Sequence, residues 1–247
     1  MICDAHVHTG YFPRKGYDAP FYYSPRRIFG VLKRCGVDEF IFSSTNAVWD
    51  FSADSMHREA AEMIRIAGNK AHPFFWVTDE YLKRDKNLSR LPDFYQGFKL
   101  HGGETPWLSC PELLNRVLSV AKERHFPIQI HTGINDNGTP NPIHDYLPFC
   151  RHYPEIKFDL AHGQPDCEVA DAVNRNDNVF VDCAFRTEQL NVWLKNGARR
   201  DRLLYGSDMP APLRHNCIFP TAYLRKNLKK AVLFETLSKN FKLYLKH

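Results

Sequence analysis

The sequence predicts an α/β chain whose eight strands close into a (β/α)8 TIM barrel. Three observations carry that prediction. Short strand-like segments alternate with segments of helical period along the whole chain, the pattern of βαβ units around a parallel sheet. There are eight rounds of the alternation, and 247 residues is a fitting length for one barrel domain over residues 1–247. No glycine-rich phosphate turn follows the first strand, which argues against a doubly wound open sheet.

The predicted strands are Ile2–His8, Glu39–Thr45, His72–Val77, Gly97–His101, Pro127–His131, Lys157–His162, Val179–Ala184 and Arg202–Ser207. Between them, Ser24 and Pro25 read as an N-cap followed by proline at the first helical position. Ile28, Val31, Leu32 and Cys35 give an i, i+3, i+4, i+7 stripe, and Gly36 closes that helix. Met56, Ala60, Met63, Ile64 and Ala67 repeat the pattern before Gly68. Pro111 starts a helix carrying Leu114, Val117, Leu118 and Ala121. Segments at Ile143–Arg151, Cys167–Val173, Thr187–Leu194 and Thr221–Leu233 complete the series, with a charge-rich stretch at Tyr81–Leu91. The longest non-periodic stretch is Thr9–Tyr23.

The bulk properties narrow the function. A hydrophobic share of 43% with 25% charged residues is that of a globular protein with a sizeable core. The net charge of +5 is mild, and the densest basic stretch (Arg225, Lys226, Lys229, Lys230) has the spacing of a solvated helix face. No nucleic-acid partner is expected. Seven scattered cysteines without a C-x-x-C pair point to a reducing compartment and away from a zinc ribbon. Cys3, Cys35 and Cys183 read as small core residues. Neither a signal peptide nor a membrane-spanning run is visible, so the expected location is cytoplasmic, with no membrane partner.

The chemistry sits at the predicted strand ends, where a barrel gathers its active site. Side chains alternate along a strand, so Asp4, His6 and His8 share one face. Two imidazoles side by side there make half of a metal site. Strand four ends in Lys99 and His101, strand five in His131, strand six in His162, and strand eight runs into Asp208. Each piece alone is weak. As a set they place metal-capable or proton-transferring groups at one level of one barrel.

The order His-x-His, Lys, His, His, Asp resembles the amidohydrolase superfamily, and more closely its amidohydrolase-2 group of metal-dependent TIM-barrel hydrolases. The resemblance covers nearly the whole chain. It rests on Asp-Ala-His-Val-His-Thr-Gly at the start, then Gly-Phe-Lys-Leu-His, Ile-His-Thr-Gly, Leu-Ala-His-Gly and Tyr-Gly-Ser-Asp-Met-Pro. The segment from Leu237 to Leu243 is similar to that group's closing helix. The resemblance implies that His6, His8, His131 and Asp208 bind one divalent ion, Zn²⁺ before Mn²⁺ or Fe²⁺. It implies that Asp208 and His162 are the catalytic proton carriers. In binuclear relatives the matching lysine is carboxylated and bridges two metals, and the matching histidine binds the second, roles that would fall to Lys99 and His162. One metal is favoured here. An uncarbamylated Lys99 must turn aside or meet a substrate carboxylate, because an ammonium is repelled by a nearby cation.

The expected activity is attack of metal-activated water on an amide or lactone carbonyl of a small substrate. Decarboxylation or hydration of a small organic acid by the same residues is the first alternative. A phosphoesterase fits less well, because the last motif is Asp208-Met-Pro210 rather than Asp-x-His. A non-catalytic barrel is the remaining reading. Arg186, His101 and Trp107 are the expected substrate contacts, with Asn135, Asp136, Phe12, Tyr22 and Tyr23 nearby. Asp4 and Asp182 are expected to orient the histidine ligands. The remaining histidines read as surface or interface residues. A homodimer suits such a barrel, although no segment identifies an interface.

Overall fold

Eight parallel strands follow one another round the sheet in chain order. They are β1 (Cys3–Phe12), β2 (Glu39–Ser44), β3 (Ala71–Trp76), β4 (Gly97–Leu100), β5 (Ile128–His131), β6 (Phe158–Ala161), β7 (Val179–Asp182) and β8 (Leu203–Leu204). The structure, a computed structural model, describes residues 1–12, 21–49, 53–135, 138–211 and 231–246. All eight strands stand where the sequence puts them, most of them shorter by one or two residues at an end. The strand β1 is longer than expected. It continues to Phe12 and pairs antiparallel with Phe21–Tyr23, so part of the stretch read as irregular is a hairpin.

The ring closes between β1 and the chain leaving β8. Ala5 N donates to Tyr205 O at 2.7 Å, Asp208 N to His6 O at 2.9 Å and His8 N to Met209 O at 2.7 Å. Asp4 reinforces this seam. Its Oδ1 accepts the amides of His6 at 3.1 Å and Ser207 at 2.9 Å. The expectation that Asp4 would orient an imidazole is corrected: it holds backbone on both sides of the closure.

Helices fill the outside in turn: α1 (Pro25–Cys35), α2 (Ala53–Ala67), α3 (Asp79–Arg84), α4 (Pro111–Arg124), α5 (Ile143–His152), α6 (Val169–Arg175), α7 (Gln189–Lys195) and α8 (Ala231–Leu245). In α1 the Ser24 side chain accepts from Arg27 N, and Gly36 caps the far end with φ 74°. The charge-rich segment after β3 condenses into only the short α3, capped by Thr78. Of the helix expected over Thr221–Leu233, residues 221–230 lie outside the described residues.

The apolar stripes of the helices meet outward-facing strand residues such as Val7, Phe75 and Phe98 in one continuous core. A second, smaller cluster closes the barrel base. There Tyr244 of α8 meets Phe74 and Phe180 at ring distances of 6.2 and 5.4 Å. His72, expected at the surface, packs against Phe241 in this base and meets Gln96 and Glu39 through its two nitrogens. With the base plugged by apolar rings, the polar residues lie toward the strands' C-terminal ends.

Candidate metal centre

His6 and His8 project inward from β1 because their spacing matches the pleat. Their Nε2 atoms lie 3.0 Å apart. Asp208, past the end of β8, brings Oδ1 to 3.4 Å from His8 Nε2 and 3.8 Å from His6 Nε2. Donor atoms of these three residues all fall within 4.8 Å of one another. Asp208 adopts φ 54°, a left-handed conformation that is uncommon for a non-glycine residue and worth noting at a site.

The outer nitrogens of both rings are already engaged. His6 Nδ1 sits 2.8 Å from Asp182 Oδ2, and His8 Nδ1 lies 2.9 Å from Ser43 Oγ. A proton on His6 Nδ1, facing the carboxylate, leaves the lone pair of Nε2 turned toward His8 and Asp208. A buried carboxylate behind a histidine is the arrangement that orients and strengthens a metal-binding imidazole. Burial, helped by the nearby Lys99 ammonium, drives the His6 pKa down to about 3. Burial also lowers that of His8. Burial opposes the charge of Asp208, yet His8, His6 and His162 around it hold its carboxyl below the usual range. Neutral imidazoles converging with a carboxylate suit a divalent cation.

His131, at the end of β5, has a buried Nε2 with no hydrogen-bond partner among the described residues. An orphaned buried nitrogen needs a partner, and a cation would provide one. Its ring stands 4.6 Å from that of His162, but the atom lies outside the tight His6–His8–Asp208 group. His162 occupies a left-handed turn at φ 69°. Its amide donates to Asp182 Oδ1 at 3.1 Å, and its Nδ1 lies 3.2 Å from the Ala184 carbonyl. That carbonyl can only accept, so Nδ1 carries the proton and Nε2 keeps a lone pair. Asp182 is therefore the hub of the site. It meets His6 Nδ1, the amides of His162 and Ala184, and Gln129 Nε2.

Lys99 is 1% exposed, and its Nζ lies 3.1 Å from His6 Nε2. Burial lowers its pKa, against the pull of Asp182, Asp208, Asp159 and Glu104. None of these carboxylates forms an ion pair with it within 4.0 Å among the described contacts.

Comparison with solved structures places this architecture. A structure named amidohydrolase 2, from Bifidobacterium longum subsp. infantis, superposes with a TM-score of 0.68 at 14% identity, covering 99% of this chain and 98% of that one. A 5-carboxyvanillate decarboxylase from Novosphingobium aromaticivorans, complexed with manganese and 4-hydroxy-3-methoxy-5-nitrobenzoic acid, gives 0.71 at 11% identity, with coverage of 100% and 96%. The chain shares the fold of these solved structures. A probable 2-pyrone-4,6-dicarboxylic acid hydrolase from Acinetobacter baumannii, with citric acid bound, matches at 0.63 and 12% identity over 99% of this chain and 98% of that one. No family model matches the chain, and no curated protein matches it in sequence.

Within this fold, the residues expected to touch substrate separate into two kinds. His101 stands at the site, its ring 4.1 Å from that of His131. Arg186 is engaged elsewhere: its NH2 meets Asp166 at 2.5 Å and its NH1 the His162 carbonyl at 3.3 Å. Trp107 is fully buried in the main core. Phe12 reaches the site, 5.8 Å from the His8 ring, whereas Tyr22 is exposed and Tyr23 packs in the core. Asn135 Nδ2 donates to Thr139 Oγ1 at 2.9 Å while its buried Oδ1 has no hydrogen-bond partner among the described residues, and Asp136 lies outside the described residues.

Sequence reasoning missed Ser43, Gln129 and Trp76. Each has the inward parity of its strand. That parity was the available signal for Ser43 and Gln129. Trp76 passes for a core residue until its neighbours are known: His8 at 5.4 Å and His101 at 5.6 Å.

Proposed function

We propose that the chain is a metal-dependent hydrolase in which His6, His8 and Asp208, with His131, hold one Zn²⁺ and a small carboxylate-bearing substrate presents an amide or lactone carbonyl. The observation that supports this most is the convergence of His6, His8 and Asp208 donor atoms within 4.8 Å, with Asp182 directly behind His6.

A divalent ion in such a site polarises a carbonyl and makes water nucleophilic near neutral pH. The protein's own groups carry the protons. Asp208, kept ionised by the surrounding imidazoles, accepts a proton from the attacking water. The proton that Asp208 takes from water passes to the leaving group through Nε2 of His162, whose Nδ1 is committed to Ala184 O. Asp182 keeps both histidines in register by holding one ring and the other's backbone. Lys99, buried beside His6, would pair with a substrate carboxylate, or, if carbamylated, would help to hold a second ion.

Decarboxylation of a small organic acid is the second reading. It draws on the solved 5-carboxyvanillate decarboxylase with the same fold and uses the same residues.

The test is metal content per chain by plasma mass spectrometry on protein purified without added metal or chelator, beside His131→Ala. About one zinc per wild-type chain, lost in the variant, supports the mononuclear site. Two would assign Lys99 as a bridge. None, with no uptake on reconstitution, overturns the proposal. Product analysis on lactones and aromatic acids, with CO2 release measured in parallel, then separates hydrolysis from decarboxylation.

A further inference from the structure

The inner histidines differ in how they are held. His6 has a carboxylate on its outer nitrogen, His8 a hydroxyl and His162 a carbonyl. No described hydrogen bond restrains the His131 ring; only its backbone is tied, where Asn141 Nδ2 donates to the His131 carbonyl and Tyr146 in turn donates to Asn141 Oδ1 at 2.7 Å. A ligand ring free to turn about its side-chain torsions binds an ion poorly, because each binding event must then order it.

What the His131 ring has instead is a stack. His101 lies on it at 4.1 Å with 27° between planes, and Trp76 lies beyond His101 at 5.6 Å and 23°. Successive strands β3, β4 and β5 thus each deliver one ring to a single column. His101 in the middle is clamped at its edge. Glu104 Oε2 lies 2.7 Å from His101 Nδ1, and Gly103 N lies 3.1 Å from the same nitrogen. Gly103 N donates to Nδ1, and the Glu104 carboxylate packs against the same edge of the ring without forming a hydrogen bond. The close approach also explains Gly103, since a Cβ there would come within 3.1 Å of the His101 ring.

We infer that His101, backed by Trp76 and held at Nδ1 by the Gly103 amide, is a positioning residue that fixes the ring of His131. This deepens the proposed metal site and rests on His131 being one of its ligands. His101 then acts through its flat ring and not through contact with substrate. Trp76 supports His101 from beyond and also stands 5.4 Å from the His8 ring.

The experiment compares wild type with His101→Phe, His101→Ala, Trp76→Ala and the His101→Ala/Trp76→Ala double variant. Each is loaded with zinc, and the rate of zinc transfer to a chromogenic chelator is measured. In parallel, carbon relaxation of the His131 ring is followed by NMR in metal-free protein. His101→Ala should release zinc roughly tenfold faster, the scale of a lost supporting contact around a metal ligand. His101→Phe, which keeps a flat ring, should stay within about twofold of wild type. Trp76→Ala should fall between, and the His131 ring of the double variant should be no more mobile than in His101→Ala alone. The His131 ring should be more mobile in His101→Ala than in wild type. Should that variant not fold, His101→Gln, which keeps much of the size but not the flat ring, carries the same test.

An unchanged zinc release rate with an equally rigid His131 ring overturns the inference. A wild-type protein that takes up no zinc overturns the metal reading instead, and the metal-free ring measurement still decides the stack.

Discussion

Asp182 Oδ2 lies 2.8 Å from His6 Nδ1, and both side chains are shut off from solvent. The pair carries two loads. It fixes the tautomer of one candidate ligand, and through Asp182 Oδ1 it also pins the turn that bears His162. Asp182→Asn keeps the size and removes the charge. Zinc affinity should fall by roughly 10–100-fold, read from competition with a chelator of known affinity. Wild-type affinity in the variant would show that the carboxylate is not what orients His6.

Bound zinc should stabilise the fold. At free metal a hundredfold above Kd, binding contributes about 2.7 kcal/mol. For a chain of this size about 1 kcal/mol moves the melting temperature by roughly 2–4 °C. The expected rise is therefore roughly 5–11 °C by differential scanning calorimetry, reversed by chelator and missing in Asp208→Ala. An equal rise in that variant would place the ion elsewhere.

Gly163, next to His162, has φ 59°. A Cβ at this position would collide with the Trp193 ring and lie 2.7 Å from Val181 Cγ1. Gly163→Ala therefore meets both a strained backbone and an overpacked wall. It should cost about 2–4 kcal/mol in urea unfolding. A loss below about 0.5 kcal/mol would mean that the turn has room to shift.

His57 supplies a pH signature away from the metal. Its ring stacks near Phe75, and its Nδ1 lies 3.0 Å from Tyr95 Oη. Burial lowers its pKa below the ordinary 6.5, while Asp54 pulls weakly the other way. Below pH 6.5 the unfolded chain takes up this proton more readily than the folded one. The contribution is thus intact above pH 6.5 and drains away as pH falls toward the folded-state value. His57→Gln, which keeps an acceptor for Tyr95 but does not titrate, should flatten the dependence of unfolding free energy on pH between 7.5 and 5.5. Parallel slopes for the two proteins would remove His57 from the account.

Much of this molecule is legible in its sequence because two periodicities and a few caps do most of the local work. The pleat places His6 and His8 together, and the Ser24–Pro25 start and Gly36 stop of α1 were readable as such. What resisted is non-local. The parity of Asp4 is visible, but its target, the amide of Ser207 across the closing seam, depends on how the last strand end meets the first. Arg186 reads as an anion binder until Asp166 is found against it. Trp107, read as a substrate contact, is buried in the main core, whereas Trp76, read only as part of strand three, stands against His8.

The ring closes where Asp208 comes to rest beside His6 and His8, and that has a consequence for how the protein is made. A ribosome that has completed the first two hundred residues has produced two of the three converging donors and every histidine around them. The third arrives only with the last strand end, and it reaches the others only once the seam has zipped. Capture of an ion by the proposed centre would therefore come late in synthesis. A chain that stops short of Asp208 would lack one of the three donors.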